Sequence, residues 1–108
     1  MTEMAEEKTI KHTELESNSV TQFYLEDDTA VAIYNLGGEY FATSDVCTHG
    51  QAYLSEGDIR GDEIVCPFHE GSFDIRTGEP VDPPCVIPLE RYEARVGEDG
   101  YIYIIVDE

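Results

Sequence analysis

The sequence predicts an all-β fold, in which antiparallel hairpins form a scaffold around a loop-rich insert. Near both ends of the chain, short runs of β-branched and aromatic residues flank glycine-containing turns, a pattern typical of hairpins. No long stretch has the apolar periodicity of an amphipathic helix. The middle of the chain, residues 45–88, is instead rich in Gly, Pro, Cys and His. With 108 residues, the chain has the length of a single domain spanning residues 1–108.

The first half of the scaffold follows a polar N-terminal segment. Residues 1–16 are charged and lack periodicity, so we interpret them as a tail that leads into a first strand, with residues 1–8 flexible. Gly37 and Gly38 separate two apolar runs and supply the positive φ angles that a tight hairpin turn requires. The apolar runs in this half predict three strands: 20–25, 29–36 and 39–43.

The insert and the second hairpin follow. Residues 89–96 and 101–107 flank the turn at 97–100 and predict the second scaffold hairpin. Within the insert, turn signals bound three short strand candidates: 57–59, 63–65 and 71–74. An insert with so little apolar sequence needs more than a hydrophobic core to stabilise its folded structure. A bound metal can supply that stabilisation.

The charge of the chain excludes several classes of partner. It has 24 acidic and 6 basic residues, for a formal net charge of −18. This excess argues against binding to nucleic acids or anionic membranes through phosphate contacts. It favours attraction to basic protein surfaces.

Apolar runs and cysteine usage predict where the protein works. The longest apolar run, residues 101–106, is too short to cross a membrane. The acidic N-terminus does not resemble a secretory signal. Three cysteines in such a chain do not indicate a disulfide framework. We therefore expect a cytoplasmic protein, and we expect it to be monomeric.

Two short motifs pair a thiol with an imidazole. Cys47 is followed two residues later by His49, and Cys66 three residues later by His69. Sixteen residues separate the two motifs, and turn-forming residues accompany both of them. Cysteine and histidine side chains in such short, repeated spacings are candidate metal ligands.

Three interpretations of these motifs remain open from the residues alone. A tetrahedral zinc site can use two Cys and two His, although common zinc fingers place the two Cys in one arm and the two His in the other. A 2Fe–2S cluster in which two Cys hold one iron and two His hold the other fits mixed arms directly. The third interpretation is that the cysteines are buried and the histidines solvated, with no metal bound.

The motifs CTHG and CPFHEGSFD resemble the signature of the Rieske iron–sulfur family. Residues 77–80 and 82–84 are similar to the turn and the proline-containing loop that cover the cluster in that family. The resemblance implies a β-sandwich of antiparallel strands with an inserted, loop-rich cluster-binding subdomain at about residues 45–88. It also implies one Rieske-type 2Fe–2S cluster. Cys47 and Cys66 would bind its buried iron, and His49 and His69 its outer iron.

Over its whole length, the chain resembles the small ferredoxins of bacterial aromatic-ring-hydroxylating dioxygenase systems. This resemblance implies an electron-transfer component and not an enzyme. The protein would carry single electrons from an NAD(P)H-dependent flavin reductase to a terminal Rieske non-haem iron oxygenase that hydroxylates an aromatic compound. The contacts would be transient, between an acidic and a basic surface.

Two departures from the respiratory members of the family concern the reduction potential. Gly71 and Phe73 stand where those members have hydroxyl groups that bond the cluster sulfurs, so we expect a low potential, about −150 mV.

Two alternative functions remain open. They are a Rieske-like small subunit of another redox complex, such as nitrite reductase, and a zinc-stabilised interaction module.

Overall fold

The computed structural model describes residues 4–47, 52–67, 71–83 and 87–107. Within these ranges, no helix is long and apolar enough to cross a bilayer. The described elements are ten strands and two short 3₁₀ helices: β1 (Met4–Lys11), 3₁₀ (His12–Glu14), β2 (Ser19–Tyr24), β3 (Ala30–Leu36), β4 (Glu39–Ser44), 3₁₀ (Leu54–Glu56), β5 (Asp58–Arg60), β6 (Glu63–Val65), β7 (Ser72–Asp74), β8 (Pro80–Asp82), β9 (Arg91–Val96) and β10 (Tyr101–Asp107).

The scaffold is a six-stranded antiparallel sheet in the order β1-β10-β9-β4-β3-β2. Strand β3 is buried on both faces, because alternate residues point to opposite sides of a strand. Val31 and Ile33 pack on one face, and Ala32 and Tyr34 on the other. This double burial explains why the sequence of β3 is almost continuously apolar.

The sheet curls around a core that we call the barrel core. Ile10 in β1 and Phe23 in β2, at opposite edges of the sheet, pack against this same cluster. The Glu26 backbone N–H also donates to the Glu7 carboxylate at 2.9 Å, which links the segment after β2 to β1. The barrel core consists of these buried residues: Leu15, Leu25, Val31, Ile33, Ala42, Ile102 and Ile104.

The opposite face of β3 packs against a four-stranded antiparallel sheet in the order β5-β6-β7-β8. The buried residues between the two sheets form a second cluster, the site core, which contains both described cysteines. Its members are Ala32, Tyr34, Leu36, Cys47, Ala52, Leu54, Ile64, Cys66, Phe73, Ile75 and Leu89. The loop-rich insert therefore has a core of its own, built against one face of the scaffold.

The predictions of an all-β fold and of two scaffold hairpins are confirmed. Gly37 and Gly38 have φ values of 62° and 98° and connect β3 to β4. The hairpin of β9 and β10 is closed by a hydrogen bond from the Gly97 N–H to the Tyr101 carbonyl at 2.8 Å.

The interpretation of the N-terminal segment as a tail is wrong for residues 4–11, which form β1 and pair with β10. The sequence of β1 conceals the strand, because charged residues occupy much of it. Edge strands commonly carry such charges, since only one of their edges pairs with the sheet. Glu6 forms an ion pair with Arg95, and Lys8 with Asp99, so the charges of β1 are matched by groups of the β9–β10 hairpin.

Candidate metal centre

The first cysteine loop, residues 45–57, leaves the end of β4 and returns through the second 3₁₀ helix. The Cys47 N–H donates to the Ala52 carbonyl at 2.9 Å, and the Leu54 N–H donates to the Asp45 carbonyl at 2.7 Å. Between these two bonds, Val46 and Tyr53 form an isolated antiparallel bridge. The two arms of the loop thus form a short ladder, and we call residues 48–51, which separate them in the sequence, the first tip sequence.

The second cysteine loop, residues 63–74, consists of β6, β7 and their connection. Its ladder is longer, with Ile64 opposite Phe73 and Val65 opposite Ser72. The Cys66 N–H extends the ladder by donating to the Gly71 carbonyl at 2.7 Å. Residues 67–70, between Cys66 and Gly71 in the sequence, are the second tip sequence.

Both loops close in the same way, with a cysteine N–H bonded to the carbonyl five residues further on. The predicted ligands His49 and His69 fall between the closing residues, in the two tip sequences. They lie outside the described residues, as does the third cysteine, Cys85. The structure therefore brings the two predicted cysteine ligands into one core, and the histidine assignments stay predictions.

A glycine lets the two loops touch. A Cβ atom on Gly57 would lie 2.0 Å from the carbonyl oxygen of Val65, the residue that precedes Cys66. The φ of Gly57 is −89°, so the requirement here is for space and not for a left-handed backbone. Only a residue without a side chain allows the first loop to approach β6 this closely.

The described donors fit a metal centre of the predicted kind. Cys47 and Cys66 are each 2% exposed and belong to the same buried cluster. Thiolates in apolar surroundings are the ligands that iron–sulfur clusters use. Each cysteine begins a closed loop that has one imidazole in its tip sequence. The described part of the predicted donor set is therefore two sulfurs in the site core.

Two buried polar groups lie at or near the base of the first loop, and the sequence did not single them out. Asp45 is fully buried and accepts hydrogen bonds from the side chain of Gln22 and from Ser55. The Tyr34 hydroxyl pairs with Thr43 Oγ1 at 2.8 Å. Burial raises the pKa of Tyr34, and the nearby charge of Asp45 raises it further, so this phenol stays protonated at neutral pH.

The Ser72 hydroxyl, in β7, forms hydrogen bonds with carboxylate groups. It is buried and donates to the Glu63 carboxylate at 2.8 Å, with an Asp82 oxygen at 3.4 Å. The adjacent Phe73 is fully buried in the site core and has no hydroxyl. Along β7, the Ser72 hydroxyl thus bonds to carboxylates and the apolar ring of Phe73 lies in the site core.

A turn after β7 leads into the loop that returns to β9. Asp74 accepts from the N–H groups of Arg76 and Thr77, and Gly78 adopts a positive φ of 80°. The Leu89 N–H donates to the Gly78 carbonyl at 2.8 Å, which closes this loop against the turn. The turn signal at residues 77–78 in the sequence is confirmed.

Comparisons with known proteins agree on the family. The family model described as the Rieske [2Fe-2S] domain matches residues 6–93. The chain is 49% identical to ferredoxin CarAc of Metapseudomonas resinovorans over 74 residues, 68% of each protein. It is 49% identical over 78 residues, 71% of this chain and 65% of the relative, to the ferredoxin component of the p-cumate 2,3-dioxygenase system of Pseudomonas putida.

A solved structure supports the same grouping. It is a complex of reduced oxygenase and oxidized ferredoxin in carbazole 1,9a-dioxygenase. The matched chain is 37% identical, with a TM-score of 0.87, and the match covers 92% of this chain and 91% of that one.

Proposed function

Because this chain belongs to the Rieske [2Fe-2S] domain family, we propose that it is the ferredoxin of a multicomponent aromatic-ring oxygenase. Family membership favours a 2Fe–2S cluster over zinc and over the absence of metal. The observation that carries the proposal is the pair of identically closed loops that begin at two buried cysteines of one core.

The proposed ligands are Cys47 and Cys66 for one iron and His49 and His69 for the other. When bound, a 2Fe–2S cluster accepts and releases one electron at a time. The chain itself positions the two thiolates and surrounds them with apolar side chains, among them Leu54 and Phe73. Such surroundings exclude water from the sulfurs and, with no hydroxyl on Phe73, favour a low reduction potential.

The proposed partners are a flavin reductase, which supplies the electron, and a terminal oxygenase, which consumes it. The carbazole complex, in which a similar ferredoxin is bound to an oxygenase, supports the second partner. A net charge of −18 supports transient docking of this chain to basic surfaces, steered by electrostatic attraction. The relatives' roles in dioxygenase systems favour this function over a small subunit of another complex such as nitrite reductase.

The same proposal covers the organisation of the chain. Residues 1–108 form one domain, and residues 45–88 are its cluster-binding subdomain. The presence of both described cysteines in one buried cluster with residues of β3 supports a single domain, because the insert shares its core with the scaffold. We propose that the protein acts as a monomer in the cytoplasm.

Electron paramagnetic resonance of the anaerobically purified protein, after reduction with dithionite, tests the cluster. Iron and acid-labile sulfide are assayed on the same sample. We expect a rhombic signal of the mixed Cys/His type, with about two irons and about two sulfides per chain. A colourless, silent sample that contains zinc and cannot be reconstituted with iron and sulfide would overturn the proposal.

The partner assignment has a separate test. Reduced protein is mixed with the terminal oxygenase of a relative's system, and the rate of electron transfer is followed by the visible spectrum. The rate should fall as salt screens the attraction between acidic and basic surfaces. A protein that holds the cluster but transfers no electrons to any such oxygenase would retain the cofactor assignment and lose the proposed role.

A further inference from the structure

Asp45 is a buried carboxylate that has no role in electron transfer as proposed above. Its side chain is fully excluded from solvent and accepts three hydrogen bonds. Gln22 Nε2 donates to Oδ2 at 2.7 Å, the Ser55 N–H to Oδ1 at 2.7 Å, and Ser55 Oγ to Oδ2 at 2.9 Å. Among residues 4–47, 52–67, 71–83 and 87–107, no Lys or Arg forms an ion pair with it.

These bonds join three segments at the base of the first cysteine loop. Gln22 belongs to β2, and Ser55 belongs to the 3₁₀ helix of the returning arm. The Asp45 N–H donates to the Ala30 carbonyl at the start of β3. Tyr53, the N-cap residue of this helix, provides no side-chain cap, and Asp45 accepts from the Ser55 N–H, a group that a helix start leaves open. One carboxylate thus performs the capping task for the opposite arm of its own loop.

The position of Asp45 relative to Cys47 gives these bonds a consequence for the thiolate. Side chains two residues apart in extended backbone point to the same side. Asp45 and Cys47 are both buried, whereas Val46 between them is 45% exposed. This alternation of burial places Asp45 and Cys47 on the same side of the segment, so bonds that hold Asp45 restrict the orientation of Cys47 as well.

The stability of the fold alone does not explain why a carboxylate occupies this buried position. Burying a charge without a cation is costly, and a well-packed apolar side chain is usually as stable. An apolar residue could not hold Gln22 and the Ser55 N–H together at one point. The retained carboxylate is explained by the geometry it imposes on both arms of the loop.

We propose that Asp45 is a positioning residue for cluster binding, which aligns the Cys47 thiolate by anchoring both arms of the first loop to β2 and β3. This inference rests on the proposed function, because it assumes that Cys47 is a cluster ligand. It extends that function by naming a residue that contacts neither iron nor partner and yet controls how firmly the cluster is held.

Asp45→Ala and Asp45→Asn separate geometry from charge. The alanine variant leaves three donors without an acceptor, and we expect it to lose its cluster to a chelator about tenfold faster than the wild type, as for other residues that orient metal ligands. The asparagine variant keeps Oδ1 for the Ser55 N–H, and its Nδ2 can donate to the Ser55 hydroxyl and, after rotation of the Gln22 amide, to Gln22 Oε1. We expect it to lose the cluster at close to the wild-type rate. Bleaching of the visible spectrum measures both rates.

Ile102→Val is the control for loss of stability alone, since Ile102 lies in the barrel core. Each protein is compared at the same interval below its own unfolding temperature, and the control should match the wild type. If Asp45→Ala does not fold, Gln22→Leu replaces it and should speed cluster loss by a smaller factor. Wild-type rates in Asp45→Ala, or in Gln22→Leu where it is the substitute, would overturn the proposal.

Hydrogen exchange of the Ser55 amide adds a readout that is independent of iron. The amide should be protected in the wild type and in Asp45→Asn, and it should exchange rapidly in Asp45→Ala. Rapid exchange with an unchanged rate of cluster loss would show that the bonds exist without positioning Cys47, and would overturn this inference alone. A wild-type protein without iron and sulfide would overturn the proposed function and this inference with it.

Discussion

The first and second cysteine loops reach the same closing geometry with different support. The second loop is the end of a regular ladder, in which β6 and β7 pair residue by residue up to Cys66. The first loop has one isolated bridge, between Val46 and Tyr53, and relies on the side chain of Asp45. A strand ladder distributes the constraint over many backbone bonds, whereas the first loop concentrates it in one buried carboxylate. We therefore expect the first loop to be the more sensitive to a single substitution.

The largest effect should be equal in the two loops, because each supplies one thiolate. Cys47→Ser and Cys66→Ser should each abolish cluster binding, since a serine hydroxyl does not replace a thiolate at iron. Cys85→Ser, the same change at the third cysteine, should keep the cluster. The visible spectrum and the iron and sulfide content measure all three proteins. An intact spectrum in either of the first two variants would remove that residue from the ligand set.

The contact between the loops should be the next most sensitive point. Gly57→Ala forces a Cβ atom against the Val65 carbonyl, and we expect a loss of about 3 kcal/mol in the free energy of unfolding. Gly61→Ala is the matched control, because Gly61 has a positive φ of 60° and open space around it. It should cost about 1 kcal/mol. Urea denaturation measures both, and equal costs would mean that the close approach at Gly57 is not a tight contact.

Ser72→Ala tests the idea that the ladder alone suffices for the second loop. Ser72 is buried and donates to Glu63, as Asp45 is buried and hydrogen-bonded in the first loop. Removing its hydroxyl should cost about 1 kcal/mol of stability. The backbone pairing of β6 and β7 persists, so iron and sulfide content should remain at the wild-type level. Cluster loss as rapid as in Asp45→Ala would show that the second loop also depends on a side chain.

The sequence predicts the features that depend on local patterns and misses those that depend on the fold. The pattern of apolar runs separated by glycine turns predicts strands, and β3 and its Gly37-Gly38 turn lie where the sequence predicts them. The cysteines carried a spacing signal, and the structure places both in one core. The role of Asp45 could not be predicted, because nothing in the sequence distinguishes it from the other acidic residues, 24 in all, and only the fold shows that it is buried. Strand β1 was missed because its partner, β10, is distant in sequence and supplies the pairing.

A substitution in β1, remote from the site core, defines the lower limit of these effects. The hydrogen bond and the charge of Arg95 hold the pKa of Glu6 below its ordinary value of 4.5. A carboxyl group with a lowered pKa stabilises the fold above its unfolded-state pKa, and this contribution is lost as the pH falls through the folded-state pKa. Glu6→Gln should therefore unfold at a slightly lower temperature than the wild type at pH 7, and the difference should shrink as the pH falls below the ordinary pKa of 4.5 and through the lowered pKa of folded Glu6.

The effect should be small, because both partners are solvent-exposed and salt screens their attraction. Glu93→Gln is the control, since in the described part of the chain Glu93 forms no ion pair. It changes the net charge by the same amount and, since it breaks no ion pair, should leave the unfolding temperature at pH 7 close to that of the wild type. Neither variant should alter the rate of cluster loss. If Glu6→Gln did so, stability anywhere in the scaffold would govern cluster retention, and the special role assigned to the first loop would lose its basis.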